Sequence, residues 1–209
     1  METREAIRTR RSVHDYTDEE VTRDEIRRII DDIRWSPSSY NLQPWEFVVV
    51  DDQEGQEELR EAAYGQEHVT DASAVVLVFG NLDRGAYAER VFRDQARKGY
   101  SSDERAEELI ERMEDEQPEG NEEWAVGSST IAATTFMYAA WDRGIATCPM
   151  GGWEADAVCE TVGAPETWYP VLMMTVGYPD TDGTEWERER KIRRSTDGIL
   201  SFGEVGGGE

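Results

Sequence analysis

Cysteine, histidine and lysine are the scarce residues of this chain, with two of each among 209 positions. Cys148 and Cys159 show no Cys-x-x-Cys spacing and cannot supply a metal framework by themselves, so no metal site is expected and reduced thiols in a cytoplasm are the default. Lys98 and Lys191 are the two lysines, which leaves arginine to carry nearly all the positive charge. Long hydrophobic runs are missing too: nothing approaches the about 20 apolar residues of a membrane-spanning helix, and no membrane partner is expected. Arg10-Arg11-Ser12 is followed by His14-Asp15-Tyr16-Thr17-Asp18-Glu19-Glu20 where an export signal would need an apolar stretch, so no export signal is expected. No strand-like segment runs into Gly-x-Gly-x-x-Gly, which disfavours a doubly wound dinucleotide fold. There is no internal repeat and no linker.

What is abundant is acid. Against 22 Lys+Arg stand 46 Asp+Glu, a formal charge of −24, which would repel nucleic acid or an anionic membrane. The acids are interleaved with apolar-periodic segments and with seven Trp, eight Tyr and five Phe, so they belong to a folded, charged surface rather than to a disordered tail. Hydrated carboxylates whose mutual repulsion is screened at high salt explain such a surface, and point to a high-salt cytoplasm. The length suits one domain with a sizeable core.

Helical spacing of Ile26, Ile29, Ile30 and Ile33 follows a Thr22-x-x-Glu25 capping box. Thr3 can cap a short helix over 4–9. Strands are expected near 46–50, 72–79 and 171–178, and helices over 53–63, 122–142 and 154–162. The polar stretch 83–117 reads as two charged surface helices, the second opening at a Ser101-x-x-Glu104 capping box. Helix 122–142 is unusually small-faced, with Ala125, Gly127, Ser128, Ser129, Ala132 and Ala133. It is therefore expected to be buried, central and a candidate dimer contact, ended by Gly144. From 179 onward periodicity fades, which suggests a tail that wraps a second subunit, with a frayed glycine run at 206–208. The order of elements favours an α+β layered sandwich.

Two features resist a packing explanation. Trp35-Ser36-Pro37-Ser38-Ser39-Tyr40-Asn41-Leu42-Gln43-Pro44-Trp45 joins a helix to a strand with a dense set of hydroxyls and amides, suited either to a polar ligand or to an ordinary loop of turn formers. Basic residues cluster at both ends of an acidic chain: Arg10-Arg11, and Arg188, Arg190, Lys191, Arg193 and Arg194. Each cluster can be a salt-bridged surface patch; together with Ser12 they can instead converge on one phosphate, which arginine binds bidentately.

The run Ser36-Pro37-Ser38-Ser39-x-Asn41-x-Gln43-Pro44-Trp45, preceded by Arg10-Arg11-Ser12, resembles the signature of the FMN-dependent nitroreductase family, and ordered motifs reach to residue 193. The resemblance covers about residues 4–205 and is weakest over 83–120. It implies a three-layer α/β/α sandwich on a mainly antiparallel or mixed sheet, and a homodimer with FMN at the subunit interface. It further implies that Arg10, Ser12, Lys191 and Arg193 hold the FMN phosphate, with Arg11 in the middle position of the N-terminal element. The loop residues Pro37, Ser38, Ser39 and Asn41 are implied to contact the flavin, usually from the partner subunit. Gln66 matches a glutamine at the pyrimidine edge. Pro149, Met150, Gly151 and Gly152 match a loop whose backbone approaches flavin N5 and O4, where the missing Cβ of glycine lets backbone lie against a flat ring. Read without the family, Pro149-Met150-Gly151-Gly152 is also a plain turn. His14 departs from the pattern, which has Lys or Arg near flavin N1 and O2. A histidine there makes the flavin potential lower or pH-dependent, or else is simply a residue at a loop edge. His68 has no such context and reads as incidental.

The implied activity is an exchange in two steps: NADH or NADPH gives a hydride to FMN N5 and leaves, and a small oxidant such as a nitroaromatic, quinone or enone enters the same pocket. His14, Gly151 and Gly152 serve the reactive ring. The rivals are an FMN-binding store or sensor without turnover, a reductive dehalogenase-type enzyme on the same scaffold, and an acidic interaction module.

Overall fold

The computed structural model describes residues 1–182 and 188–204; the glycine run at 206–208 lies outside them. Among the described residues, four strands form one sheet: β1 (Trp45–Val50), β2 (Ala74–Asn81), β3 (Ala146–Met150) and β4 (Trp168–Gly177), in the order β1-β2-β4-β3, every neighbouring pair antiparallel. Helices α1 (Thr3–Thr9), α2 (Arg23–Ile33), α3 (Gln53–Ala62), α4 (His68–Asp71), α5 (Ala88–Arg97), α6 (Asp103–Asp115), α7 (Glu122–Asp142) and α8 (Ala155–Val162) surround it.

β2 explains why the sheet is covered on both sides. Its residues are buried along the whole strand, so the run Ala74-Val75-Val76-Leu77-Val78-Phe79 must send alternate side chains into two separate cores. Val76 and Val78 pack with Ile26, Ile29 and Ile33 of α2 and with Ala132, Ala133, Phe136 and Ala140 of α7. Val75, Leu77 and Phe79 pack on the opposite face with Leu59, Ala62, Val69 and Val158, from α3, α4 and α8. The result is the expected three-layer α/β/α sandwich. Phe136 is fully buried and stacks on Phe47 at 6.0 Å between centroids; truncating such a side chain to alanine costs about 3–5 kcal/mol.

The small face of α7 is used as its residues suggest. A Cβ built on Gly80 of β2 would come within 2.8 Å of the Ala125 Cβ, so helix and strand approach as closely as they do because both residues are small. Gly144, at φ 77°, terminates the helix in the left-handed region. The capping box of Thr22 and Glu25 is formed in full.

Four local expectations are corrected. Thr3 is the first residue of α1 rather than its cap, since Glu2 holds that position. The cap of α6 is Ser102, whose side chain accepts from the Arg105 N–H, and not Ser101. The 83–117 stretch is more than a charged surface excursion: Phe92, Val91, Leu109, Ile110 and Met113 close around Leu42 as a third apolar cluster. Finally, 146–150 is a strand. Its proline is tolerated because β3 lies at the sheet edge, paired only with β4 among the named strands.

Candidate functional site

Residues 10–16 leave α1 and run along the open edge of β3. Ser12 forms an isolated parallel bridge with Thr147, and the Val13 N–H donates to the Thr147 carbonyl at 3.4 Å. Val13 is buried. Tyr16 then pins the segment: its hydroxyl lies 2.7 Å from both the Val13 carbonyl and Thr175 Oγ1. Its ring occupies the place of a side chain at Gly177, where a Cβ would fall 2.6 Å from Tyr16 Cδ1. The strap is thus held from within the sheet, and Arg10, Arg11, Ser12 and His14 line a cleft beside it.

The opposite wall is the C-terminal segment. Arg190 donates to the Thr9 and Arg10 carbonyls at 2.8 and 2.9 Å, and Arg11 Nη2 donates to the Arg188 carbonyl. Lys191 and Arg193 line the same cleft, whose volume is about 370 Å³. Arg193 turns one guanidinium nitrogen back to the Lys191 and Ile192 carbonyls, at 2.9 and 3.2 Å. Among the described residues, the lining brings Arg10, Arg11, Arg188, Arg190, Lys191 and Arg193 together with Glu189. The crowding registers on Arg190, whose pKa is lowered first by burial and then by the charges of Arg11, Arg193 and Arg10. Arg10 Nη1 is buried with no hydrogen-bond partner among the described residues. A buried guanidinium N–H left unsatisfied is costly, and an anion with several oxygens would relieve both the repulsion and the missing bond.

A second corner adjoins this cleft through two imidazoles. The rings of His14 and His68 lie 4.6 Å apart, which corrects the reading of His68 as incidental. Two residues before His68, Gln66 Nε2 donates to the Ala63 carbonyl at 2.9 Å and to the Gly152 carbonyl at 3.0 Å, tying the turn between α3 and α4 to the loop after β3. With its amide nitrogen committed, Gln66 has its Oε1 left as the acceptor for a ligand N–H. Pro149 and Met150 end β3, and Trp153 Nε1 closes the loop onto the Met150 carbonyl at 3.1 Å. A Cβ on Gly151 would meet nothing within 4 Å, and one on Gly152 would meet only the edges of Gln66 and Tyr64 at 3.9 Å or more. Neither glycine has positive φ. Backbone conformation and internal packing therefore give no reason for glycine at either position.

The loop after α2 goes elsewhere. Ser36 is buried and donates to Thr135 Oγ1 at 3.0 Å, while Ser38 Oγ accepts from the Gln43 N–H at 3.0 Å. Pro37 and Ser39 are exposed. Asn41 and Gln43 line a different cleft, of about 520 Å³, with Trp45, Tyr87, Arg90 and Asp94. Among the described residues, the non-glycines with positive φ are Tyr40, Asn41, Gln43 and Tyr64, at 49–59°. Three lie in this loop and Tyr64 lies two residues before Gln66, and each such residue stores about 1–3 kcal/mol, as is common at binding sites.

The structure therefore splits the residues singled out from sequence into two groups. Arg10, Arg11, Ser12, His14, Lys191 and Arg193 share one cleft, joined through His68 to Gln66, Gly151 and Gly152; Asn41 lines another. Arg190 belongs to the basic cluster read from the sequence but not to the residues that the resemblance matches to the phosphate. Its signal, the density of arginines over 188–194, is visible in the sequence, but a segment without regular secondary structure has no periodicity to show which guanidinium turns inward.

An antiparallel α/β/α sandwich with an arginine-walled cleft at one sheet edge is the class of protein these features define. The Nitroreductase family profile matches residues 7–178, and the chain belongs to the nitroreductase family. It is 29% identical over 186 residues to YdgI of Bacillus subtilis (strain 168), a protein provisionally named an NAD(P)H nitroreductase; the match spans 86% of this chain and 89% of YdgI. Among solved structures, ydfN of Bacillus subtilis superposes with a TM-score of 0.86 at 25% identity, over 95% of this chain and 97% of that one. A nitroreductase-type protein from Exiguobacterium sibiricum 255-15, solved in complex with FMN, superposes with a TM-score of 0.82 at 25% identity, over 97% of each chain.

Proposed function

We propose that this chain is an NAD(P)H-dependent FMN oxidoreductase that reduces small oxidants of the nitroaromatic, quinone or enone class. The observation that carries the reading is the pairing of the arginine cleft with the glycine corner. At one end, cations and a buried Arg10 Nη1 without a partner among the described residues suit a phosphate. At the other, Gly151 and Gly152 leave side-chain space that the protein itself does not fill. His14, His68 and Gln66 join the two ends. A flat ring carrying a phosphate tail matches that layout, and the complex of the Exiguobacterium protein with FMN and the nicotinamide in the name of YdgI support the choice.

Bound FMN would supply two-electron exchange between the nicotinamide and the oxidant. The residues of the chain do the rest. Arg10, Ser12, Arg190, Lys191 and Arg193 hold the phosphate, with Arg11 bracing the C-terminal wall. Gln66 offers its Oε1 to a ring N–H, and His14 stands at the same edge as a group able to hold or release a proton. Met150, Gly151 and Gly152 present backbone to the ring face without steric obstruction.

Residues 1–209 act as one FMN-binding unit in this reading, and the unit is completed by a second copy. Pro37, Ser38, Ser39 and Asn41 do not reach the arginine cleft of their own chain, so their contact with the flavin is made across a dimer. Ile192 and Phe202 of the C-terminal segment, 95% and 89% exposed, are apolar enough to be covered by that copy. The acid surface suits a cytoplasm of high salt.

The test is a spectrum. Protein purified at high salt and supplied with FMN should show flavin absorbance that bleaches under nitrogen with NADH or NADPH and returns on adding a nitroaromatic or quinone. A flavin spectrum unmoved by either nicotinamide would reduce the protein to a flavin binder, and a chain that takes up no FMN would end the cofactor assignment.

A further inference from the structure

The two histidines of the chain and one of its two cysteines, separated by 54 and 80 residues of sequence, meet at one point. The ligand atoms of His14, His68 and Cys148 all lie within 4.8 Å of one another. Each comes from a different, separately anchored element. His14 is on the strap that Ser12 and Tyr16 fasten to the sheet edge. Cys148 is a buried residue of β3 paired with Thr175 of β4. His68 opens α4, whose backbone is held from inside by buried Gln56, donating to the Val69 and Ala72 carbonyls at 3.0 and 2.9 Å. Groups converging from three braced elements are preorganised in a way that residues of one flexible loop are not.

Two imidazole nitrogens and a thiolate make a borderline-soft donor set, suited to a thiophilic divalent ion and poorly suited to magnesium or calcium. Zinc bonds of about 2.0–2.1 Å to nitrogen and about 2.3 Å to sulfur require donor separations of roughly 3.3–3.7 Å in a tetrahedron. The ligand atoms lie within 4.8 Å of one another, so binding would draw them together by up to roughly 1–1.5 Å through side-chain rotation. Three protein ligands would leave a fourth position for water or another ligand, and one of the three, His14, also lines the arginine cleft. We infer that His14, His68 and Cys148 form a binding site for zinc or a similar thiophilic divalent cation. The chain's charge of −24 raises the local concentration of such cations. Cysteine spacing gives no hint of the site, because its ligands are gathered by the fold rather than by a motif.

Cobalt(II) is the probe, since zinc is spectroscopically silent. The full-length chain, freed of metal by a chelator and kept reduced, is titrated with cobalt and then with zinc, without added flavin, so that the outcome does not depend on the cofactor assignment. The expected result is one cobalt per chain, with the near-ultraviolet charge-transfer band of a cobalt–thiolate bond and the intense visible bands of a four-coordinate ion, both lost on adding zinc. Cys148→Ser should abolish the charge-transfer band, and Cys159→Ser should retain it. His68→Gln should weaken cobalt binding by more than about 10–100-fold, the range seen when even an outer-shell partner of a metal is removed. Because Cys148 is buried and its replacement can disturb the core, a second readout is thermal unfolding with zinc. The midpoint should rise for the natural chain and not for His14→Ala. Cobalt bound without a thiolate band, or with an affinity unchanged in His68→Gln, would mean binding by surface carboxylates only and would overturn the inference. So would a zinc-induced stabilisation that persists in His14→Ala.

Discussion

Gly151→Ala separates a site glycine from a structural one by the sign of two measurements. Where a glycine is needed for conformation or packing, alanine destabilises the fold. At Gly151 φ is not positive and an added Cβ meets nothing within 4 Å, so neither penalty arises. Alanine instead narrows the unfolded ensemble and should stabilise the chain by about 0.4–1 kcal/mol. For a chain of this length that is a rise of roughly 1–4 °C in unfolding midpoint. FMN affinity should move the other way. A methyl group in the space reserved for the ring acts like an overpacked contact, which costs about 1–3 kcal/mol, or roughly 5- to 150-fold in Kd. Differential scanning calorimetry of the flavin-free chain and flavin fluorescence quenching measure the two effects independently. A lowered midpoint would show that the glycine serves the loop itself. An unchanged Kd would show that the ring does not lie there, and the orientation proposed for the flavin would have to be abandoned.

Three further outcomes are expected. Arg10→Ala should weaken FMN by about 10- to 150-fold, the equivalent of the 1.5–3 kcal/mol of a charged hydrogen bond, and leave riboflavin affinity unchanged; an equal loss for both would refute a phosphate role. The Tyr178 hydroxyl donates to Glu25 Oε1 at 2.7 Å, and this bond, ahead of burial, raises the Tyr178 pKa to about 12. A pKa raised on folding stabilises fully below the unfolded value of about 10 and loses its effect as pH climbs to the folded one, so between pH of about 5, above which Glu25 is ionised, and about 10 the deficit of Tyr178→Phe in thermal midpoint should be constant, and it should shrink above about 10; a deficit that grows there would contradict the assignment. Unfolding midpoints should rise as salt goes from 0.1 to 1 M, because the screening length falls from about 10 to about 3 Å and relieves the repulsion within a chain of charge −24; a fall would remove the electrostatic account of its composition.

The parts of the fold legible in the sequence are those where one local signal has no competitor. α7 runs from Glu122 to Asp142, as its small residues and Gly144 suggest, and the Thr22–Glu25 box opens α2 where expected. Where two signals compete, tertiary pairing decides. Ser101 and Ser102 are adjacent candidates for one cap, and the acid three residues after Ser101 selects the wrong one. β4 begins at Trp168 rather than at 171 because Trp168, Tyr169 and Pro170 pair with Asn81, Gly80 and Phe79 beyond a register shift that no alternation pattern encodes. β3 is five residues long and contains Pro149, and it is a strand because β4 and the strap lie beside it.

The site shows the same division one level higher. Residue type reveals which chemistry a segment can perform: arginine for phosphate, glycine for close approach, histidine for protons or metals. It does not reveal which segments share a space. Arg10 and Arg193 meet across a cleft, Asn41 faces another, and His68, with nothing around it in sequence, stands against His14. Backbone strain is equally hidden. Tyr40, Asn41, Gln43 and Tyr64 sit in the left-handed region where glycine would be easier, and the first three belong to the loop picked out by its polar side chains. A loop selected for its turn alone would have glycine there. Retaining side chains at that cost is what a loop does when the side chains, and not the turn, are what it must present.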